Sequence, residues 1–491
     1  MPSSQALGDP GYRRQLGDTG LVLRWSTSAD RAGCILLSCI ALGLKEGEEQ
    51  EYAVRYLEPY TDDAFYSGSS TNWALCVDTT PLEKPSPTSD SQSCVDLIRA
   101  EAESAQERVV ALVFFLPAEF SFEGDAARVP VGRAHIVACK AAYRQSQLKG
   151  VNVVKSLFEM VHARALSTAC AFMVVSGIPT TASAIEHRAQ GYEYALDMGR
   201  GLVTHVSALR PQRLPALERL VTAPRATADI FMGAAAPVLQ KQLRWLLGER
   251  PAGYTFPVHP FFVLEKRDAP DAAPRIVAAA GLMNSDAAKA AVHPLLWDGV
   301  EDASAVALAV VRQLILALEA TLSTEKLATI RWVVTDAHPL RRWLLAHELA
   351  IPVPDSPRYA ASRVWWAAIP SLPAFLRALA PALTARLACA SHILGGNYAG
   401  ALRFAGGVVL RIAGGNVSVE VDALDTSLPR GALIQLLLGY AAFPALQALF
   451  PDAVVEPAML PLVEVLFPPR EGVGATMVGA HYVIQEGMVF N

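Results

Sequence analysis

Three neighbouring stretches decide the fold: VGRAHIVAC at 131–139, VVKSLFEMVHARA at 153–165 and CAFMVVS at 170–176. The first and third are short and rich in Val, Ile, Phe and Met, which fits strands better than buried helices. The middle one has another period. Val154, Leu157, Phe158, Val161 and Ala165 fall at i, i+3, i+4, i+7 and i+11, one face of a helix, while Lys155, Glu159 and Arg164 lie off that stripe. The order is therefore strand, turn, helix, strand, and Gly177-Ile178-Pro179 then breaks the second strand.

The turn between the first strand and the helix carries Tyr143 and Arg144. A strand, a turn with an arginine and a helix start together form an anion cradle, because the free N–H groups of a helix N-terminus and the helix dipole both favour negative charge. Lys149 and Lys155 lie near the same turn, though a lysine there also reads as ordinary surface charge.

This unit resembles the acetyl-coenzyme A core of the GNAT superfamily of N-acetyltransferases, and within it the Eis-type branch. The matching pieces are VGRAHIVACKAAYR (131–144), VVKSLFEMVHAR (153–164), VVSGIP (174–179) and GYEYALDMG (191–199). The likeness runs from about residue 16 to 469. It implies an α/β (α+β) fold: two tandem acetyltransferase-like domains with mixed sheets flanked by helices, then a sterol-carrier-like C-terminal αβ domain. It also implies acetyl-CoA as cosubstrate, a small-molecule or peptide amine as acceptor, and assembly into homo-oligomers; no metal is expected, because the cysteines show no Cys/His ligand spacing.

The resemblance assigns roles residue by residue. Main-chain groups at Val137 and Cys139 would hold the pantetheine arm, and Arg144 would meet the pyrophosphate. Gly150, Asn152 and Ser176 complete the cofactor-binding set. His187 stands where the family has its tyrosine general acid; a histidine can also protonate a leaving thiolate. Tyr192 offers a second phenol, and also reads as a residue packing its strand. His135 shares the face of Val137 and Cys139 by the period-two rule and is the candidate proton acceptor; it also reads as a satisfied strand histidine.

Two departures fall at the chemistry. The family's glycine three residues after the arginine is missing, and about five extra residues fill 145–152. The segment 180–190 replaces a shorter aromatic one. Both predict slow turnover. The rival reading is a catalytically weak or inactive protein of the same fold that binds CoA, a lipid or a partner; a third makes the apolar C-terminal region an interaction or oligomerisation surface.

Composition agrees with a large buried core. Of the 491 residues, 52% are hydrophobic and 18% charged, a length that suggests three domains. A net charge of -5 gives no argument for nucleic acid or acidic membranes. No secretory h-region is visible at the N-terminus, and no apolar run reaches the roughly 20 residues of a membrane span. The seven cysteines form no metal-ligand or disulfide spacing, which suits a reducing cytoplasm.

The expected domains are 1–210, with the acetyl-CoA site, 211–370, a degenerate second copy, and 371–491. In the first, strands are expected at 21–25, 73–77 and 108–116, with a helix over 28–44. In the second, 226–247 and 304–322 read as helices and 260–264, 275–283 and 329–334 as strands. Nothing like Tyr143-Arg144 precedes the 304–322 helix, so no coenzyme is expected there. In the third, a helix at 372–388 precedes short strands at 400–404, 407–412 and 417–421 and helices at 431–438 and 443–449.

Overall fold

A computed structural model describes residues 4–41, 57–61, 68, 71–80, 94–122, 126–143, 151–177, 185, 187–197, 202–205, 230–233, 261–266, 275–286, 289–297, 329–332, 339–352, 364–394, 398–404, 407–421, 428–469 and 473–474. The structure is a mixed α/β fold built on a large mixed sheet. Its strands are β1 (Arg13–Gln15), β2 (Leu21–Trp25), β3 (Trp73–Asp78), β4 (Arg108–Phe122), β5 (Ala127–Cys139), β6 (Phe172–Gly177) and β7 (Glu193–Asp197). Further along lie β8 (Leu202–His205), β9 (Ile230–Gly233), β10 (Phe261–Lys266), β11 (Arg275–Asp286), β12 (Lys289–Trp297), β13 (Thr329–Trp332), β14 (Ile351–Pro352) and β15 (Val364–Ala368). The strands β16 (Gly400–Phe404), β17 (Val408–Ala413), β18 (Asn416–Val421) and β19 (Val473–Gly474) follow.

The first sheet runs β1-β2-β3-β4-β5-β6-β15-β7, with β9 on β4 and β19 on β9. Strands β1 to β5 pair antiparallel, β5 and β6 parallel. A parallel pair needs a crossover, and α3 (Val153–Ser167) supplies it. The second sheet runs β10-β11-β12-β13-β8-β14. Pairing does not follow chain order: β15 enters the first sheet between β6 and β7, while β8 pairs with β13 in the second. The expected 226–247 helix is not found where the structure describes it: Ile230–Gly233 is a strand, drawn into extended conformation by pairing with Glu119–Phe122 of β4. The expected 304–322 helix and residues 475–491 lie outside the described residues.

The first sheet is covered on both faces. On one, α3 buries Leu157, Phe158 and Val161 against Ala111, Val113, Phe115, Ala134, Met173 and Val175. On the other, α1 (Arg31–Ala41) packs Ile35 and Leu37 over Leu75, Leu112 and Phe114, beside α2 (Cys94–Ser104). Farther along that second face lies α5 (Leu372–Cys389), which follows the short α4 (Pro339–Ala346). Phe375, Leu376, Leu379 and Leu383 of α5 bury against Phe120, Phe172, Val174 and Ala367. Each such side chain removed from water contributes about 1.5–3 kcal/mol. The helix Leu372–Cys389 is apolar and long enough to cross a membrane by length and composition; here one side of it faces this core. The meander β16-β17-β18 and helices α6 (Arg430–Leu437), α7 (Phe443–Leu449) and α8 (Leu460–Leu466) share the same cluster.

Two expected boundaries shift for local reasons. The strand expected to stop at Leu116 continues through Pro117 to Phe122. Proline lacks an amide, and at Pro117 none is needed. β3 pairs with β4 only as far as Phe114, and β9 joins from Glu119, so Pro117 lies in the gap between these neighbours. The helix expected from residue 28 begins as a 3-10 turn, Ser28–Asp30, where the Asp30 carboxylate accepts from the Thr27 amide at 2.8 Å and pairs with Arg24.

Candidate functional site

The site is built where β5 and β6 part. They pair from Val131↔Phe172 to Ala134↔Val175 and no further, yet β5 continues to Cys139 along β4. Close contact is required just before the parting. A Cβ on Gly132 would lie 2.3 Å from the Met173 sulfur and 2.6 Å from Phe115 Cε2. Past Ala134, β6 no longer pairs with the main-chain edge of β5, and Val137 is 38% exposed. Ser176 is the first β6 residue beyond that last pair, opposite Trp365 of β15.

A bulge lies at the parting. Val113 pairs with Val137 and Phe114 with His135, which leaves Ile136 without an opposite number. Its φ is 49°, a left-handed conformation that a β-branched residue adopts only at a cost of about 1–3 kcal/mol. The bulge corrects one expectation. The extra residue resets the alternation, so His135 does not share a face with Val137 and Cys139. Val137 and Cys139 oppose Val113 and Ala111 on the α3 face. His135 opposes Phe114 on the other face, 3% exposed and stacked on Tyr60 with ring centroids 5.6 Å apart. It is a core histidine, away from the edge at Val137.

The N-terminus of α3 lies beyond the end of β5. Asn152 is its N-cap, with Oδ1 accepting from the Lys155 amide at 2.9 Å, and Ser156 N–H donates to the Asn152 carbonyl at 3.1 Å. The amides of Val153 and Val154 precede that first helical bond and belong to the set a helix leaves for an external acceptor. Arg144 and Gly150 lie outside the described residues.

Tyr143 ends the turn after β5. Its hydroxyl donates to Asp78 Oδ2 at 2.7 Å. Burial first, then that hydrogen bond and the Asp78 charge, push the phenol up to about 12. Burial works to raise the Asp78 carboxyl, but hydrogen bonds from Tyr143 and Thr80 and the charge of Arg108 outweigh it and hold the group below its ordinary value.

His187 and Tyr192 come together, their rings 6.3 Å apart. Tyr192 is fully buried, its hydroxyl 3.0 Å from Nε2 of His162 on α3, and burial raises its pKa. Burial, with the charge of Arg430 adding to it, brings His162 down to about 4; burial alone brings His187 to about 4. His187 rests against Trp366 of β15, 5.4 Å between rings. Trp366 opposes Val175, which opposes Ala134. At about 4.8 Å per strand, this cluster sits roughly 10 Å from β5, on the α3 side where Val137 also lies. Gly191 (φ 82°) closes the turn into β7, and a Cβ there would meet the Arg430 guanidinium at 3.3 Å.

The structure therefore gathers Val137, Cys139, Asn152 and Ser176 around the parted strands, with His187 and Tyr192 to one side, and separates His135. Sequence reasoning missed His162, Trp366 and Asp78. Each meets its partner only through a contact distant in sequence. Among the described residues no group of three or more His, Cys, Asp or Glu is placed to hold a metal ion.

No protein-family model and no curated protein matches the sequence. Solved structures do match. A GCN5-related N-acetyltransferase from Anabaena variabilis ATCC 29413 aligns with a TM-score of 0.56 at 12% identity, over 93% of this chain and 99% of that one. A GCN5-related N-acetyltransferase from Kribbella flavida gives 0.51 at 15% identity, over 94% and 98%. A conserved protein of unknown function from Enterococcus faecalis V583 gives 0.51 at 12%, over 93% and 97%. At such identities the likeness is one of fold, and the chain has the fold of the GCN5-related N-acetyltransferases.

Proposed function

We propose that this protein is an N-acyltransferase that moves an acetyl group from acetyl-coenzyme A to an amine. The observation that carries the reading is the edge of β5 past Ala134, left unpaired by β6, beside the capped N-terminus of α3. Main-chain donors and acceptors of an extended edge suit an amide-bearing arm such as pantetheine, and a helix N-terminus suits a phosphate. The thioester supplies an activated acyl group and a thiolate leaving group. On this reading Val137 and Cys139 orient the arm through their backbones, with Ser176 opposite. Arg144, Gly150, Asn152 and the first α3 amides take the phosphates. His187 is the candidate acid for the departing thiolate. Tyr192 is less suited to that role, because its hydroxyl is buried against His162.

We further propose two tandem acetyltransferase-like halves with the coenzyme site in the first alone, a sterol-carrier-like C-terminal region, homo-oligomeric assembly and a cytoplasmic setting. One observation favours the weaker-turnover alternative: burial keeps His187 neutral near pH 7, with a pKa of about 4, so its imidazolium is scarce when a thiolate needs a proton. The test is release of free thiol from acetyl-coenzyme A against a panel of polyamines and aminoglycosides. Amine-dependent release supports transfer. Coenzyme binding without release selects the non-catalytic reading, and neither would reject both.

A further inference from the structure

We propose that Asp78 and Tyr143 are positioning residues for the coenzyme: they clasp the turn Ala141–Tyr143 where the chain leaves β5, immediately ahead of Arg144. The inference rests on the acyltransferase reading above. Asp78 ends β3 and pairs with Arg108, the first residue of β4. Its Oδ2 accepts from the Tyr143 hydroxyl at 2.7 Å and from Arg108 Nη2 at 2.8 Å; its Oδ1 accepts from the Thr80 amide at 2.8 Å. One carboxylate, 6% exposed, thus gathers the end of β3, the start of β4 and the turn after β5.

The sheet does not need this bond. β3 and β4 pair from Trp73↔Phe114 to Asp78↔Arg108, and β4 and β5 from Ala111↔Cys139 onward. What the Tyr143 hydroxyl adds acts on the turn Ala141–Tyr143 alone. That turn is otherwise tied by Lys140 N–H to the Val110 carbonyl and Tyr143 N–H to the Lys140 carbonyl, both 2.9 Å. The Tyr143 ring packs on the hydrophobic cluster that also takes Val151, Val153 and Val154 at the start of α3. Arg108 neutralises Asp78, which removes the repulsion a bare carboxylate would exert on a nearby phosphate. Hydrogen bonds to an ionised acceptor are the stronger kind, which suits a fixed strut.

The test is calorimetric titration of the full-length protein with coenzyme A, alongside steady-state turnover, for wild type, Tyr143→Phe and Asp78→Asn. Tyr143→Phe keeps the ring and removes only the strut. We expect its Kd to rise about tenfold, equivalent to about 1.4 kcal/mol, with kcat at saturating acetyl-coenzyme A unchanged within about twofold. Asp78→Asn shifts Kd in the same direction. Wild-type binding with an unchanged Kd in Tyr143→Phe overturns this inference and leaves the acyltransferase reading standing. A fall in kcat at saturation with Kd unchanged also overturns it, since positioning acts on binding. If wild type itself does not bind coenzyme A, the acyltransferase reading fails and the inference with it. If Asp78→Asn does not fold, Tyr143→Phe decides.

Discussion

The hydroxyl of Tyr192 and Nε2 of His162 lie 3.0 Å apart, inside a core where Tyr192 has no exposed surface. This pair joins α3 to the turn ahead of β7, and Phe158 and His187 pack their rings around Tyr192.

Removing the hydroxyl leaves a buried imidazole nitrogen without that partner. Tyr192→Phe is expected to cost about 1–3 kcal/mol of stability, read as a lower thermal midpoint, while turnover changes less than about threefold. A loss near the 10²–10⁴-fold typical of a missing general acid would return the acid role to Tyr192.

Burial of His162 sets a pH dependence. His162 is held at about 4 in the folded protein, against 6.5 ordinarily. Between those values the unfolded chain binds a proton that the folded chain refuses, so stability falls as pH drops through about 6.5 toward 4. At about 1.4 kcal/mol per unit, the loss is of the order of 3 kcal/mol. His187 is shifted the same way and adds to the slope. Thermal midpoints across this range should show it, and His162→Gln should flatten it; an unflattened profile would assign the slope to other groups.

Gly132→Ala drives a methyl against the Met173 sulfur and the Phe115 ring, both fully buried. Overpacking of this kind costs about 1–3 kcal/mol. The clash falls within the short run where β5 and β6 still touch, so coenzyme A affinity should drop with stability. Calorimetry and thermal unfolding together check this; a variant as stable and as tight-binding as wild type would mean the strands can spread freely.

Arg144→Ala should weaken acetyl-coenzyme A binding by about 1.5–3 kcal/mol, the range for hydrogen bonds to charged groups. Equal affinities in calorimetric titration would remove Arg144 from the site.

Periodicity made the central unit legible: the stripe 154, 157, 158, 161, 165 predicts α3, observed as Val153–Ser167, and the apolar runs predict β5 and β6. Local chemistry also places the meander near residues 400–421. What failed to show was of two kinds. The bulge at Ile136 carries no glycine to announce it, so the period-two rule assigns His135 to the opposite face from the one it takes. The contacts of Trp366 with His187 and of Tyr143 with Asp78 are made by residues far apart in the chain, brought together by strand pairing. In particular, β15 sits between β6 and β7, and nothing in its short apolar run VWWAA names those neighbours.

On the proposed function, coenzyme lies along the edge of β5 that β6 leaves unpaired past Ala134, and against the start of α3. Hydrogen–deuterium exchange with and without saturating coenzyme A tests it most directly. Exchange should slow in peptides covering residues 135–139 and 153–156, with little change in the meander Gly400–Val421. Unchanged exchange at 135–139, with coenzyme A demonstrably bound, would contradict it.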